Sequence, residues 1–306
     1  MAGRILVIRG GAVGDFILTL PALALLREAF PDAHIELLGY RHIVEVAVNR
    51  WYAQGSRHIE YAAMAGFFNP KAELDPALCA YFAGFQQVIS YLFDPDEYFT
   101  GNLRRAGVRH FLTGNPKIGD HAHAATQLAE PLHQLALYLE SPAARIFPHA
   151  EDRAAAMAFL EGKDRPIALH PGSGSPRKNW PIDRWRQLAA RLLDAGRPLL
   201  IVGGESDTRQ IDDLRASLPK ESVRFAVGLP LPVLGAVLAD CRAYVGHDSG
   251  ISHLAAAAGA PCVLLFGPTD PSVWAPANAG ITVIRPESGA LTDISVDQAA
   301  ALALGL

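Results

Sequence analysis

Two α/β halves, each built on a parallel sheet, are what this sequence predicts, and three observations carry that expectation. Short, wholly apolar segments such as residues 5–8 suit strands buried on both faces, and they alternate with stretches of helical period. Several of these segments run directly into glycine turns, at Gly10-Gly11 and again at Gly203-Gly204. The chain is 306 residues long, enough for two domains that each bury a core.

The first half opens with a strand at residues 5–8 and a helix at about 15–30, in which Pro21 predicts a kink or a break after one turn. Strands are expected at 34–38, 57–61, 86–92 and 108–112, with helices at about 44–49, 75–85 and 95–106 between them. Over residues 115–151 the pattern changes to turn residues, histidines and one helix near 127–139. The junction is expected there, giving domains 1–145 and 146–306. The second half restarts with a helix at 152–161, a strand at 166–170, a loop at 171–180 and a helix at 181–195. A strand at 199–202, helices at 207–218 and 232–241, and a strand at 243–245 follow.

Half of the residues are hydrophobic and 19% are charged, the balance of an ordinary soluble protein rather than a disordered one. A net charge of −4 argues against nucleic acid as a partner. Cys79, Cys241 and Cys262 stand far apart without CxxC spacing, which reads as reduced core thiols of a cytosolic protein and not as a zinc site. No signal peptide is expected from MAGRILVIRGG, and the apolar run 254–266, interrupted by Gly259 and Pro261, is too short to span a bilayer.

The most informative stretch is 246–271, GHDSGISHLAAAAGAPCVLLFGPTDP. A strand leaves through Gly246 and a helix starts at Ser249 or Gly250, so the unpaired amides of its first turn suit an anion such as a diphosphate. Ser249, Ser252 and His253 fall on one face of that turn and add donors. The plainer reading makes Asp248 or Ser249 an N-cap. Asp248 beside a diphosphate is expected to orient a partner, such as His253, and not to touch phosphate.

The loop HPGSGSPRKNWP at 170–181 offers the amides and hydroxyls of Ser173, Gly174 and Ser175 together with the charges of Arg177 and Lys178, again suited to a diphosphate. Trp180 reads as a core anchor, Pro181 as the first residue of a helix, and Arg177 equally as a solvated charge. Glu205, after Gly203-Gly204, stands where dinucleotide folds place a ribose-binding acid, or it favours the start of the next helix. Thr269 and Asp270 lie in a turn that either closes over a ligand or is only a turn.

Near the start, GGAVGD places Asp15 after the first strand, where open α/β sheets bind ligands and where a carboxylate can take a proton from a hydroxyl. Its structural alternative is a helix cap. Arg104, Arg105 and Arg109 cluster in NLRRAGVRH, either for an anionic acceptor or as solvated charges. Asp94-Pro95-Asp96 reads as a helix-start turn and not as a metal site, and His121 and His123 lack partners at zinc spacing.

As an ordered set, RGGAVGD, HPGSGSPRKNWP, GGES, GHDSGISH and FGPTDP resemble the ADP-heptose:lipopolysaccharide heptosyltransferases of glycosyltransferase family 9, over nearly the whole chain. The resemblance implies a GT-B architecture, two Rossmann-like parallel-sheet domains facing across a cleft, with the nucleotide sugar held by the C-terminal domain and the acceptor by the N-terminal one. It implies an inverting, metal-independent transfer without a cofactor. Asp15 matches the general base, Lys178 the catalytic lysine facing the donor phosphates, and Glu205 the acid near the ribose. Asp248, Ser249, Gly250 and His253 match the donor segment, joined by Ser173 and Gly174. Gly14, Arg104 and Arg105 are candidates for contact with an anionic saccharide or lipopolysaccharide-core acceptor. A cytoplasmic enzyme touching the inner face of the inner membrane is implied as well.

The segment 52–78 carries few basic residues for a phosphorylated lipid acceptor, which leaves the acceptor open. Alternatives are a relative using another nucleotide sugar, a nucleotide-sugar epimerase and a non-catalytic nucleotide-sugar binder. A dehydrogenase is disfavoured, because GGAVGD does not match GxGxxG.

Overall fold

The computed structural model describes residues 3–161 and 165–306. The chain divides into two compact units, Met1–Pro142 and Ala143–Leu306.

In the first unit β1 (Arg4–Arg9), α1 (Val13–Ala29), β2 (His34–Gly39), α2 (Arg41–Val44) and β3 (Gly55–His58) are followed by a 3-10 helix at Ala62–Phe68. Then come α3 (Pro76–Ala83), β4 (Gln87–Ser90), α4 (Tyr98–Arg105), β5 (Phe111–Thr113), α5 (Ala124–Ala129) and a second 3-10 helix at Glu130–Leu135. All five strands are parallel, in the order β3-β2-β1-β4-β5. The order of strand addition therefore reverses between β1 and β4, the switch point at which such sheets open a crevice beyond their strand ends.

The expected break at Pro21 does not occur. Residues 16–23 of α1 are all buried and the helix packs on α5, so burial outweighs the one hydrogen bond that proline removes. Two other expectations shift. The helix expected at 44–49 forms earlier, as α2, and the strand expected at 57–61 pairs at Gly55–His58, where Gln54 N–H already donates to Ile35 O at 2.9 Å. The helix near 127–139 is shorter than expected, because Pro131 passes the chain from α5 into 3-10 geometry. Leu6, Ile8, Phe67, Phe82 and Phe99 centre the core of this unit.

The second unit runs α6 (Ala150–Leu160), β6 (Ile167–His170), α7 (Ile182–Asp194), β7 (Leu199–Gly203), α8 (Thr208–Ser217) and β8 (Val223–Val227). It continues through α9 (Leu231–Ala239), β9 (Ala243–His247), α10 (Gly250–Ala257), β10 (Cys262–Leu265), α11 (Pro271–Trp274), β11 (Ile281–Ile284) and α12 (Val296–Gly305). Its six parallel strands are ordered β11-β10-β9-β6-β7-β8, a complete Rossmann order with the switch point between β6 and β9. Strands β8, β10 and β11 and helix α12 lie outside the elements expected from sequence. Leu169 on β6, Ile201 on β7 and Val245 on β9 join Trp185 and Leu188 of α7 in the core of this unit, and α12 packs on α7 beside them.

Candidate active site

In the second unit the residues singled out from sequence gather at the C-terminal ends of β6, β7 and β9. The loop after β6 includes a 3-10 turn at Pro176–Lys178, and it carries Lys178 to Asp248, with Nζ 2.7 Å from Oδ2. Asp248 is nearly buried while the Lys178 side chain keeps 32% of its surface exposed, so the cation stays open on one side. Asp248 is thus paired with Lys178 in this structure.

Ser249 is the N-cap of α10 and accepts from Ser252 N–H at 3.3 Å. The amides of Gly250 and Ile251, the first two helical residues, have no acceptor within the helix. Both serine hydroxyls are engaged in structure. Ser249 Oγ lies 3.3 Å from His170 Nδ1, and Ser252 Oγ donates to His247 O while meeting the Tyr244 hydroxyl at 3.0 Å. Backbone amides and Lys178 are thus the donors left for an anion. His253 is buried in the first turns of the same helix.

Ser173 Oγ lies 2.8 Å from Ser175 O and 2.5 Å from Asn179 Oδ1, so it shapes the loop from within. Gly174 is exposed with a φ of +71°, a left-handed conformation that favours glycine. Glu205 opens a 3-10 turn after β7 and is exposed. Trp180 is buried edge-on to Trp185, as expected of a core anchor. Pro181 serves as the N-cap residue and α7 begins one residue later. Asp270 caps α11 through Ser272 N–H and Oγ, both at 2.9 Å, and those bonds hold its carboxyl below the usual range.

Three residues that sequence reasoning passed over tie this edge together. His247, the fully buried last residue of β9, accepts from Trp180 N–H through Nε2 at 2.8 Å and faces Gly172 O through Nδ1 at 3.2 Å. This pairing needs a neutral ring protonated on Nδ1. Burial, the largest influence, pushes its pKa down to about 3. His170, the last residue of β6, meets Asp207 Oδ2 through Nε2 at 3.3 Å, and the same oxygen accepts from Gly204 N–H at 3.0 Å. Burial would raise the Asp207 carboxyl, but its bonds to His170 and Gly204 leave it below the usual value. A Cβ at position 172 would overlap the Asp207 carboxylate, so Gly172 is required there. Polar histidines closing two neighbouring apolar strands were the available signal.

In the first unit Asp15 lies at the switch point, as the third residue of α1. Its Oδ2 accepts from Ala12 N–H at 2.8 Å, half of a capping arrangement, and its Oδ1 is 3.6 Å from Arg9 Nη2. Gly14 adjoins it, and 38% of the Asp15 side chain is exposed. Arg9 is buried beneath, held also by Tyr91 O, and burial lowers its pKa against the opposing pull of Asp15. Arg104 and Arg105 are not brought to this edge. They end α4, which runs away from the C-terminal end of β4, and Arg105 is bonded to Asn102 Oδ1 at 2.7 Å. Asp94 takes the amides of Phe99 and Thr100, consistent with a helix-start role. Among the described residues no group of three or more His, Cys, Asp or Glu is placed to hold a metal ion.

Residues 108–301 match the family model described as glycosyltransferase family 9 (heptosyltransferase). Lipooligosaccharide heptosyltransferase 2 of Haemophilus ducreyi is 33% identical over 170 residues, covering 50% of this chain and 49% of that protein. The chain thus spans about half the length of that curated relative. Lipopolysaccharide heptosyltransferase 1 of Pseudomonas aeruginosa is 27% identical over 288 residues, covering 88% of this chain and 79% of the relative. The solved Escherichia coli ADP-heptose lipopolysaccharide heptosyltransferase II superposes with a TM-score of 0.78 at 20% identity, over 99% of both chains. That likeness establishes the GT-B fold class, two Rossmann-like parallel-sheet domains.

Proposed function

The chain belongs to glycosyltransferase family 9, the heptosyltransferase family, and on that premise we propose that it transfers a heptose from an ADP-sugar to a saccharide acceptor of the lipopolysaccharide core. The observation that carries the reading is the Lys178–Asp248 pair beside the start of α10, a cation held ready next to two free helix amides. That arrangement suits a diphosphate, with Asp248 fixing the lysine until the donor arrives. The sugar and nucleotide follow the names of the relatives, a lipooligosaccharide heptosyltransferase and an ADP-heptose lipopolysaccharide heptosyltransferase.

The transfer is a single displacement. The acceptor hydroxyl oxygen bonds to the anomeric carbon as the bond from that carbon to the diphosphate oxygen breaks on the opposite face, inverting the centre. Asp15 takes the hydroxyl proton and ADP departs with the electron pair. Lys178 and the amides of Gly250 and Ile251 meet the charge developing on the leaving group, so the step is assigned no metal ion. Ser173 and Gly174 shape the loop that presents Lys178, Glu205 is assigned the ribose hydroxyls, and His253 supports the donor segment. Gly14 remains a candidate on the acceptor side beside Asp15, while Arg104 and Arg105 are assigned no role at this edge. No helix among the described residues is long and apolar enough to cross a membrane. A cytoplasmic enzyme meeting its lipid-linked acceptor at the membrane surface is the proposed setting.

A calorimetric screen of ADP-, GDP-, UDP- and TDP-sugars tests the donor. ADP-heptose is expected to bind most tightly, and a preference for a uridine or guanosine donor would overturn the assignment. Product analysis with and without acceptor then separates transfer from epimerisation, since an epimerase alters the donor alone.

A further inference from the structure

The opposite edge of the second sheet, where its strands begin, carries a separate group of cations. Arg242 immediately precedes β9, and Arg165 and Arg197 stand two residues before β6 and β7. These are three adjacent strands in the sheet, with Pro261 before β10 extending the row. Backbone bonds join the entries: Arg242 N–H to Pro166 O at 2.9 Å, Ile167 N–H to Pro198 O at 2.9 Å and Tyr244 N–H to Pro261 O at 2.8 Å. Adjacent strands lie about 4.8 Å apart, so the three entries are neighbours along this edge. They line a single cavity of about 430 Å³ together with Gly196, Pro198, Pro261 and Leu306.

Capping of helix ends accounts for one of the three. Arg165 donates to Asp240 O at 3.0 Å and Cys241 O at 2.9 Å, closing the C-terminal end of α9. It does not account for the others, because the Nε atoms of Arg197 and Arg242 are buried without an acceptor. Among the described residues none of the three guanidinium groups has a carboxylate within ion-pair distance. Three positive charges around one cavity repel each other. A multiply charged oxyanion relieves that repulsion, and the planar guanidinium fork fits phosphate oxygens in pairs.

We propose that this cavity is a phosphate-binding site formed by Arg165, Arg197 and Arg242, separate from the edge that holds Lys178 and Asp248. The bound group is a phosphate dianion, carried either by a small soluble phosphate or by the phosphomonoester headgroup of phosphatidic acid.

Calorimetric titration of the full chain with inorganic phosphate, at constant ionic strength, tests it in wild type, R197Q/R242Q and K178A. The account expects phosphate binding to weaken at least tenfold in R197Q/R242Q and to persist in K178A. Equal phosphate affinity in wild type and R197Q/R242Q, or loss confined to K178A, overturns it. If R197Q/R242Q does not melt cooperatively, R197K/R242K takes its place, keeping the charges and removing the forks, and the same weakening is required. Co-sedimentation with phosphatidylcholine vesicles with and without phosphatidic acid separates the two sources. Arginine-dependent binding to the anionic vesicles identifies the headgroup, and phosphate binding without vesicle binding identifies a soluble phosphate.

Discussion

His247 is a buried ring whose two nitrogens are committed to the backbone, one accepting from Trp180 N–H and one facing Gly172 O. Its pKa of about 3 lies below that of an exposed histidine near 6.5, so the unfolded chain takes up a proton between those values and the folded chain does not. Stability is therefore full above about pH 6.5 and falls as the pH drops toward 3. By pH 5 the loss is expected to be about 2 kcal/mol. Urea melts across this range check it, and His247→Phe is expected to flatten the slope while costing about 2–4 kcal/mol at neutral pH by stranding both backbone partners. Asp15 holds Ala12 N–H as well as standing as the proposed base. Asp15→Asn keeps an amide oxygen for that cap but gives up the charge facing buried Arg9, so some loss of stability is expected while the folded enzyme's turnover falls by about 10²–10⁴-fold. Full turnover per folded molecule in Asp15→Asn would make Asp15 a structural residue alone.

The strand ends and the helix start after β9 do most to define the candidate site. Ser249→Ala removes the α10 cap and is expected to cost about 1 kcal/mol, read in a denaturant melt. Gly172→Ala forces its Cβ into Asp207 and should disturb both the His170–Asp207 contact and the loop that presents Lys178. The parallel α/β pattern was legible in the sequence because the central strands β1, β6 and β9 are short apolar runs leading into glycine turns or ending in histidine. Strands β8 and β11 were not, since they form the two edges of their sheet and are only partly buried. Pro21 misled for a related reason: local propensity says where a helix is costly, and the burial of α1 decides whether that cost is met. Among the candidate residues, Lys178, Asp248 and Ser249 announced themselves by charge and capping chemistry. His170, Asp207 and His247 act through contacts 37 to 79 residues away in sequence, which spacing alone does not reveal.

At the scale of the whole molecule, family membership and GT-B fold class were both readable from five ordered motifs, because their order along the chain is more specific than any one of them. The proposed division of labour places the donor on the second unit, through Lys178 and the start of α10, and the proton acceptor on the first, through Asp15. The basic cluster at Arg104 and Arg105 is visible in sequence, and the structure adds that it falls in the last turn of α4. Lys178→Ala is expected to weaken donor binding at least tenfold, as a charge-assisted contact to the diphosphate is removed and Asp248 is left buried without its cation.

The most direct test is calorimetric titration of ADP-heptose into wild type, Asp15→Asn and Lys178→Ala under one set of conditions. The account predicts an unchanged dissociation constant for Asp15→Asn and a weakened one for Lys178→Ala. Equal weakening in both variants, or none in Lys178→Ala, would contradict it.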